Sequence, residues 1–159
     1  MKAEKRMRHS RHIGRIGLSC AALAMLFSGA AGAVEFRSIA DNAVVMFDAP
    51  SLRASKLFVV AKFTPVEVVV SLDQWIKVRD RAGDLAWVEK KALSELRTVV
   101  VTAPVAEIRA TAAEQAPVVF RAQQGVALEL AELSGGGWVK LRHRDGQAGF
   151  ARISQVWGL

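Results

Sequence analysis

Tyrosine is absent from the 159 residues, cysteine occurs once and histidine three times. Beyond residue 33 there is no cysteine, and His143 is the remaining histidine. Disulfides and metal sites built from cysteines or several histidines are therefore excluded for that part of the chain. A serine nucleophile would depend on His143, which stands between Arg142 and Arg144, and no Gly-x-Ser-x-Gly sequence accompanies it. We therefore predict a protein that is not an enzyme, with no metal and no cofactor.

The N-terminus is basic and then apolar. Six lysines and arginines precede an apolar run at 16–27, and the small residues Ala31-Gly32-Ala33 follow it. This order is typical of a cleavable secretory signal, since the run is short for a bilayer span and ends in an A-x-A site. We predict a signal helix in 1–33 that is cleaved after Ala33, a periplasmic location, and membrane contact only through the signal segment. The alternative is that this segment is an uncleaved anchor or an ordinary buried helix.

The single cysteine, Cys20, lies inside the apolar run. A lipid-attachment site would have an aliphatic residue where Gly17 stands, and the apolar run continues beyond the cysteine. We therefore interpret Cys20 as part of the discarded signal rather than as a lipidation site.

Most of the net charge of +7 belongs to the N-terminal segment. Without its six basic residues and one acid, 16 lysines and arginines face 14 aspartates and glutamates, a net charge of +2. Charges of both signs alternate along the remaining chain, as in Arg79-Asp80-Arg81. This balance gives no electrostatic case for nucleic acid as a partner.

An internal repeat indicates two small domains. The sequence WIKVRDRAG, which starts at Trp75, returns 63 positions later as WVKLRHRDG, which starts at Trp138. Five of the nine residues are identical, and two further positions exchange one aliphatic residue for another. We interpret this as duplication of one folding unit and predict domains at 34–96 and 97–159, joined by a linker of a few residues that restricts their mutual orientation.

Both domains are predicted to be all-β. Short runs rich in valine, isoleucine and phenylalanine are separated by turn residues, including Asp145-Gly146, a strong hairpin signal. Evenly spaced short strands in about 60 residues indicate a small barrel. The predicted strands are 43–47, 56–61, 66–71, 74–79 and 85–89 in the first domain, and 98–102, 106–109, 118–122, 126–133, 138–143 and 148–153 in the second. A helical turn is predicted at 92–96.

The second domain resembles a bacterial SH3 domain. The motif residues are Ile108-Arg109, Gly125-Val126, Gly137-Trp138-Val139-Lys140-Leu141 and Gly146-Gln147-Ala148-Gly149-Phe150. The first domain follows the pattern less fully, with Met46-Phe47, Pro65-Val66, Gln74-Trp75-Ile76-Lys77-Val78 and Gly83-Asp84-Leu85-Ala86-Trp87. The resemblance covers nearly all of the chain after the signal. It implies two tandem small SH3-like barrels, a fold whose members often accompany cell-wall hydrolases and bind peptidoglycan or peptides.

Strand alternation defines candidate ligand-binding residues. If the aliphatic residues on the two tryptophan strands face the core, the alternate residues face outward: Trp75, Lys77, Arg79, Trp138, Lys140 and Arg142. A surface tryptophan flanked by cations could stack on a sugar-like group while the cations pair with a carboxylate. The alternative is that both tryptophans seal the barrel rim and the cations are solvated. Proline-rich ligands are not expected, because an aromatic groove for them typically uses tyrosines.

Two functions follow. The first is an exported, non-enzymatic binding module of the cell envelope that recognises peptidoglycan or an envelope peptide. The second is a structural or assembly scaffold that docks another periplasmic protein by a sheet edge or a flat face. Exposure of Trp75 and Trp138 should distinguish them, since a ligand site requires exposed rings and a scaffold tolerates buried ones.

Overall fold

The computed structural model describes residues 34–159, and the predicted signal helix, cleavage site and Cys20 lie outside the described residues. The first domain is a sheet of seven antiparallel strands with the order β3-β2-β6-β5-β4-β1-β7. Strands β1 to β7 are Phe36–Ile39, Val44–Phe47, Lys56–Val60, Pro65–Ser71, Trp75–Arg79, Leu85–Glu89 and Leu93–Ser94, with a 3-10 turn at Lys90–Ala92.

The second domain repeats the first strand for strand. Its sheet has the order β10-β9-β13-β12-β11-β8-β14, which is the same topology. Strands β8 to β14 are Thr98–Val101, Val105–Arg109, Val118–Gln123, Ala127–Gly135, Trp138–Arg142, Ala148–Arg152 and Val156–Trp157, with a 3-10 turn at Ile153–Gln155. The predicted all-β fold of two tandem SH3-like barrels is confirmed. Within residues 34–159, no helix has the length and apolar character needed to span a membrane.

Each barrel encloses its own apolar core. The cores contain the inward residues of alternating strands, such as Ile76 and Val78 in the first barrel and Val139 and Leu141 in the second. All four side chains are at most 6% exposed. Burying a branched aliphatic side chain contributes about 1.5–3 kcal/mol, so these cores supply the main stabilising term in domains that have no disulfide.

Strands β1, β7 and β14 were not predicted, and the predicted helical turn at 92–96 is wrong. The turn is a 3-10 turn that ends at Ala92, and Leu93–Ser94 instead forms β7, which pairs with Ser38 and Ile39 of β1. The physical reason is tertiary: Leu93 packs against the core of the first barrel, and an extended backbone allows this while pairing with β1. Strands β7 and β14 have two residues each, too few for a period-two pattern.

The two barrels meet at a buried junction. The hydroxyl of Ser38 in β1 lies 2.7 Å from that of Thr98 in β8, and Thr98 Oγ1 donates to the carbonyl oxygen of Phe63 at 2.8 Å. The rings of Phe36 and Trp157 pack edge to face with centroids 5.1 Å apart. The three residues between β7 and β8 thus join barrels that pack directly against each other.

Gly158 completes the junction. It has a φ of +113°, and a Cβ at this position would lie 2.9 Å from Pro65 Cβ and 2.9 Å from the Thr98 carbonyl oxygen. Its own carbonyl oxygen accepts a hydrogen bond of 3.2 Å from the Arg97 guanidinium. Only glycine satisfies both the conformation and the close approach here.

Candidate functional site

The tryptophan strands have the alternation that the sequence predicted. Ile76 and Val78 are buried in the first barrel core, while Trp75, Lys77 and Arg79 on the opposite face are half-buried. In the second barrel Lys140 is half-buried and Arg142 is exposed. The candidate residues thus share the outer face of their strands.

In the first barrel these side chains contact neighbours in the same domain. The Trp75 ring packs edge to face against Phe47, with centroids 5.5 Å apart. Lys77 Nζ lies 5.9 Å from the centroid of Trp87, and Arg79 forms an ion pair of 2.9 Å with Glu67. A ligand at this face would compete with contacts that the protein already makes.

The second barrel repeats these pairings but covers its tryptophan. Lys140 Nζ lies 5.7 Å from the centroid of Phe150, and Arg142 forms an ion pair of 3.1 Å with Glu129. Trp138 is only 7% exposed. The repeat therefore preserves a lysine beside an aromatic ring and an arginine beside a glutamate.

The cover over Trp138 is an arginine. The guanidinium carbon of Arg152 lies 4.2 Å from the Trp138 ring centroid, a cation–π distance. Arg152 Nε donates a hydrogen bond of 2.7 Å to Glu114 in the loop between β9 and β10. One predicted site tryptophan is thus half-buried and the other buried, and the burial of Trp138 favours a packing role for its ring.

A cavity of about 430 Å³ lies between the two barrels. One wall is the turn between β3 and β4 in the first barrel, with Lys62, Phe63 and Thr64. The facing wall comes from the second barrel, with apolar groups at its floor, such as Leu128, and cations at its rim, including Arg144. Of the six predicted site residues, Arg142 alone lines this cavity.

The cavity is electropositive. Its lining holds three cations, Lys62, Arg142 and Arg144, and one acid, Glu129, which Arg142 already engages. Lys62 Nζ is positioned over the Phe63 ring, 5.2 Å from its centroid. Lys62 and Arg144 are exposed and come from different barrels, so the charge concentrates only when the barrels are together.

Phe63, in the turn that forms one wall of the cavity, has an unusual backbone conformation. Its φ of +66° lies in the left-handed region, where a bulky residue costs about 1–2 kcal/mol. Its N–H donates to the Ile39 carbonyl at 2.9 Å, and its own carbonyl accepts from Thr98. The inter-barrel junction thus compensates this strain and fixes the turn that carries Lys62.

His143, the histidine considered as a possible base, lies at the edge of the same cavity. Its Nδ1 is 3.0 Å from Asp145 Oδ2. Asp145 also accepts hydrogen bonds of 2.9 Å from the Gln147 backbone N–H and side-chain amide. These contacts, the backbone hydrogen bond foremost, lower the pKa of the Asp145 carboxyl below its usual range. Across residues 34–159, histidines and acids form no group of three or more that could hold a metal ion.

Sequence reasoning missed Lys62 and Arg144. Lys62 lies in a turn and Arg144 at a hairpin tip, so neither belongs to a strand pattern. The cavity exists because two barrels pack together, and no periodicity within one barrel encodes that contact. The repeat and the short linker were the only sequence signals for it.

The sequence of both barrels places the chain in one family. A model of the bacterial SH3 domain matches residues 40–95 and again residues 102–158, so the chain belongs to the bacterial SH3 domain family, with two copies. Domains of this family are typically non-catalytic binding modules. No curated protein matches the chain.

Similar solved structures are larger proteins. NlpC2 from Trichomonas vaginalis is 13% identical with a TM-score of 0.36, and the match covers 78% of this chain and 48% of that one. An NlpC/P60 family protein from Bacillus cereus is 17% identical with a TM-score of 0.33, and the match covers 77% of this chain and 56% of that one. The chain thus spans about half the length of these structures.

Proposed function

We propose that this protein is an exported, non-enzymatic binding module of the cell envelope that binds peptidoglycan in the cavity between its barrels. The observation that carries the proposal is the placement of Lys62, Arg142 and Arg144 around a cavity with an apolar floor. The basic and apolar N-terminal segment supports export to the periplasm, where peptidoglycan is the abundant polymer with free carboxylates.

The chemistry of the cavity fits a carboxylate on a short aliphatic chain. Cations at the rim favour an anion, and an arginine fork binds a carboxylate in two-point fashion. The apolar part of the lining, with Leu128 and Phe63, favours methyl and methylene groups. Peptidoglycan stem peptides present this combination, and a cavity of about 430 Å³ has the size of a site for a few amino-acid residues.

The first experiment is co-sedimentation of the purified protein with insoluble peptidoglycan at low salt. Wild type is compared with the double variant Lys62→Ala/Arg144→Ala, which removes one cation from each wall. The matched control is Lys90→Ala/Lys91→Ala, which removes the same charge from exposed residues outside the cavity lining. Circular dichroism and thermal melts establish that all three proteins are folded.

We expect wild type and the control to sediment and the cavity variant to lose most of its binding. Binding should weaken at 0.5 M salt, because partly exposed ion pairs are screened. Sedimentation of the cavity variant equal to that of the control would move the site away from the cavity. No sedimentation of wild type at low salt would refute the wall-binding proposal. Trp75→Ala, tested alongside, reports on the outer face of the first barrel.

A further inference from the structure

The edge strand β3 exposes an unusual amount of apolar surface. β3 ends the order of the first sheet, and within the described residues it pairs only with β2. Leu57 is 47% exposed, Phe58 37% and Val59 60%, so three consecutive large apolar residues face solvent on both sides of the strand. A free edge of this kind is a template for pairing with another strand.

The second barrel protects the equivalent edge. In the first barrel Phe58 of β3 pairs with Met46, and in the second barrel Phe120 of β10 pairs with Ile108. Phe58 and Phe120 therefore hold equivalent positions. The next residue is Val59 in the first barrel and Arg121 in the second. Arg121 forms an ion pair of 2.9 Å with Glu107. A charged pair on an edge strand opposes strand addition, so the two barrels differ in the property that governs it.

A cavity beside β3 could take a side chain. It has a volume of about 370 Å³ and is bordered by Phe58 and Val60. Its apolar lining includes Met46 and Val66 from the first barrel, and Trp157 from the second. In the second barrel Phe120 instead packs against His143, with centroids 5.9 Å apart.

Within residues 34–159, cations without a carboxylate partner lie at both ends of β3. Acids are also near: Asp48 accepts a hydrogen bond from the Ser55 backbone N–H, and Asp80 and Asp84 line the cavity beside Phe58 together with Arg81. Residues 49–66 contain Arg53, Lys56 and Lys62 and no acid. In the part of the chain that the structure describes, none of the three forms an ion pair with a carboxylate. An incoming strand would therefore gain from acidic residues on either side of its apolar centre.

We infer that the β3 edge docks an extended, acid-flanked apolar segment of a partner protein, which adds a strand to the first sheet and inserts a large apolar side chain beside Phe58. Main-chain hydrogen bonds would supply affinity, and the cavity would supply specificity. This surface is separate from the tryptophan strands and adds a protein partner to the proposed wall ligand.

A second copy of this chain fits the edge less well. A second copy would bring a strand with the same cations at its ends, Arg53, Lys56 and Lys62. An antiparallel pair of β3 strands centred on Phe58 would also place Lys62 of one copy beside Arg53 of the other, and like charges there are unfavourable.

The test uses three fluorescent synthetic peptides with one core of alternating valine and threonine and a central leucine. The flanks are two aspartates, two asparagines or two lysines on each side. Fluorescence anisotropy measures binding to wild type and to Val59→Arg, which copies the residue of the second barrel. Val119→Arg is the matched control, because Val119 is a 42% exposed residue of β10.

We expect the aspartate peptide to bind most tightly and the lysine peptide most weakly. Val59→Arg should weaken binding at least tenfold and Val119→Arg should leave it unchanged. The charge-reversed variant Arg53→Glu/Lys56→Glu should invert the peptide preference. Peptidoglycan sedimentation should not change in Val59→Arg, which separates this surface from the cavity between the barrels.

Three results would overturn the inference. One is the absence of saturable binding by any of the peptides. Another is equal loss of binding in Val59→Arg and Val119→Arg. The third is a wild-type dimer in analytical ultracentrifugation that Val59→Arg dissociates, since the occupant of the edge would then be a second copy.

Discussion

The Ser38 hydroxyl lies 2.7 Å from the Thr98 hydroxyl, and the two residues are 0% and 3% exposed. Ser38 also contacts the Leu96 carbonyl, and Thr98 contacts the Phe63 carbonyl. Each hydroxyl has one proton, so only two protons are available to donate in these three short contacts. The pair connects both barrels, the linker and the wall that carries Lys62.

Replacing Thr98 with valine should destabilise the whole protein. Valine keeps the shape but removes the donor to the Phe63 carbonyl, and a buried group that loses its partner costs about 1–3 kcal/mol. Urea denaturation of the purified protein measures this change. The control Thr111→Val, at an exposed loop position, should change stability by less than about 0.5 kcal/mol. Equal stability of both variants would show that the junction hydroxyls contribute nothing.

The two tryptophans should differ in their contribution to stability. Trp138→Ala empties a buried site beneath Arg152 and should cost about 3–5 kcal/mol in the free energy of unfolding. Trp75→Ala should cost less, because that ring is already half-buried. Chemical denaturation of the two single variants tests this order, and a larger loss for Trp75→Ala would contradict it.

Two glycines should respond to alanine for different reasons. A Cβ at Gly149 would lie 2.5 Å from the Arg109 carbonyl oxygen, so the β9 backbone would have to move. At Gly146 the φ is +93° but nothing lies within 4 Å of the Cβ position, so alanine should cost only about 1–2 kcal/mol of backbone strain.

We therefore expect Gly149→Ala to be the more damaging change, measured as the larger drop in the midpoint of thermal unfolding. The reverse order would mean that β9 and β13 separate easily. The first barrel accommodates Ala86 at the equivalent place, opposite Val78 as Gly149 is opposite Leu141. Close approach at Gly149 is thus a property of the second barrel alone.

Asp145 should make stability depend on pH. Its folded pKa is lowered, chiefly by the hydrogen bond from the Gln147 backbone and then by His143, so the ionised carboxyl favours the folded state. This contribution is present above the ordinary carboxyl pKa of about 4 and is lost as the pH falls through the lower folded value.

Wild type should therefore be more stable than Asp145→Asn at pH 7, and the difference should shrink at pH 2–3. Denaturation at both pH values measures it. Asp41→Asn, at another exposed turn aspartate, corrects for the loss of one negative charge. A difference that stays constant with pH would exclude a role for the carboxylate.

The sequence predicted the fold well because the signals were local. Alternation on Trp75–Arg79 identified Ile76 and Val78 as core residues, and the nine-residue repeat implied the second barrel. The two-residue strands β7 and β14 were not predicted because they form only by pairing with β1 and β8.

The candidate site was less predictable because it depends on contacts between elements. The alternation of side chains along the strand placed Trp138 on the outer face. It carried no information on Arg152, which covers the ring from another strand. Lys62 and Arg144 stand far apart in sequence, and only the packing of two barrels makes them walls of one cavity.

The contact of Gly158 with Pro65 ties the two copies of a duplicated unit together. A substitution in one copy must be tolerated by the surface of the other, as the space around Gly158 requires. Exchanging or deleting one barrel would therefore expose an apolar junction residue, Phe36 or Trp157, on the barrel that remains.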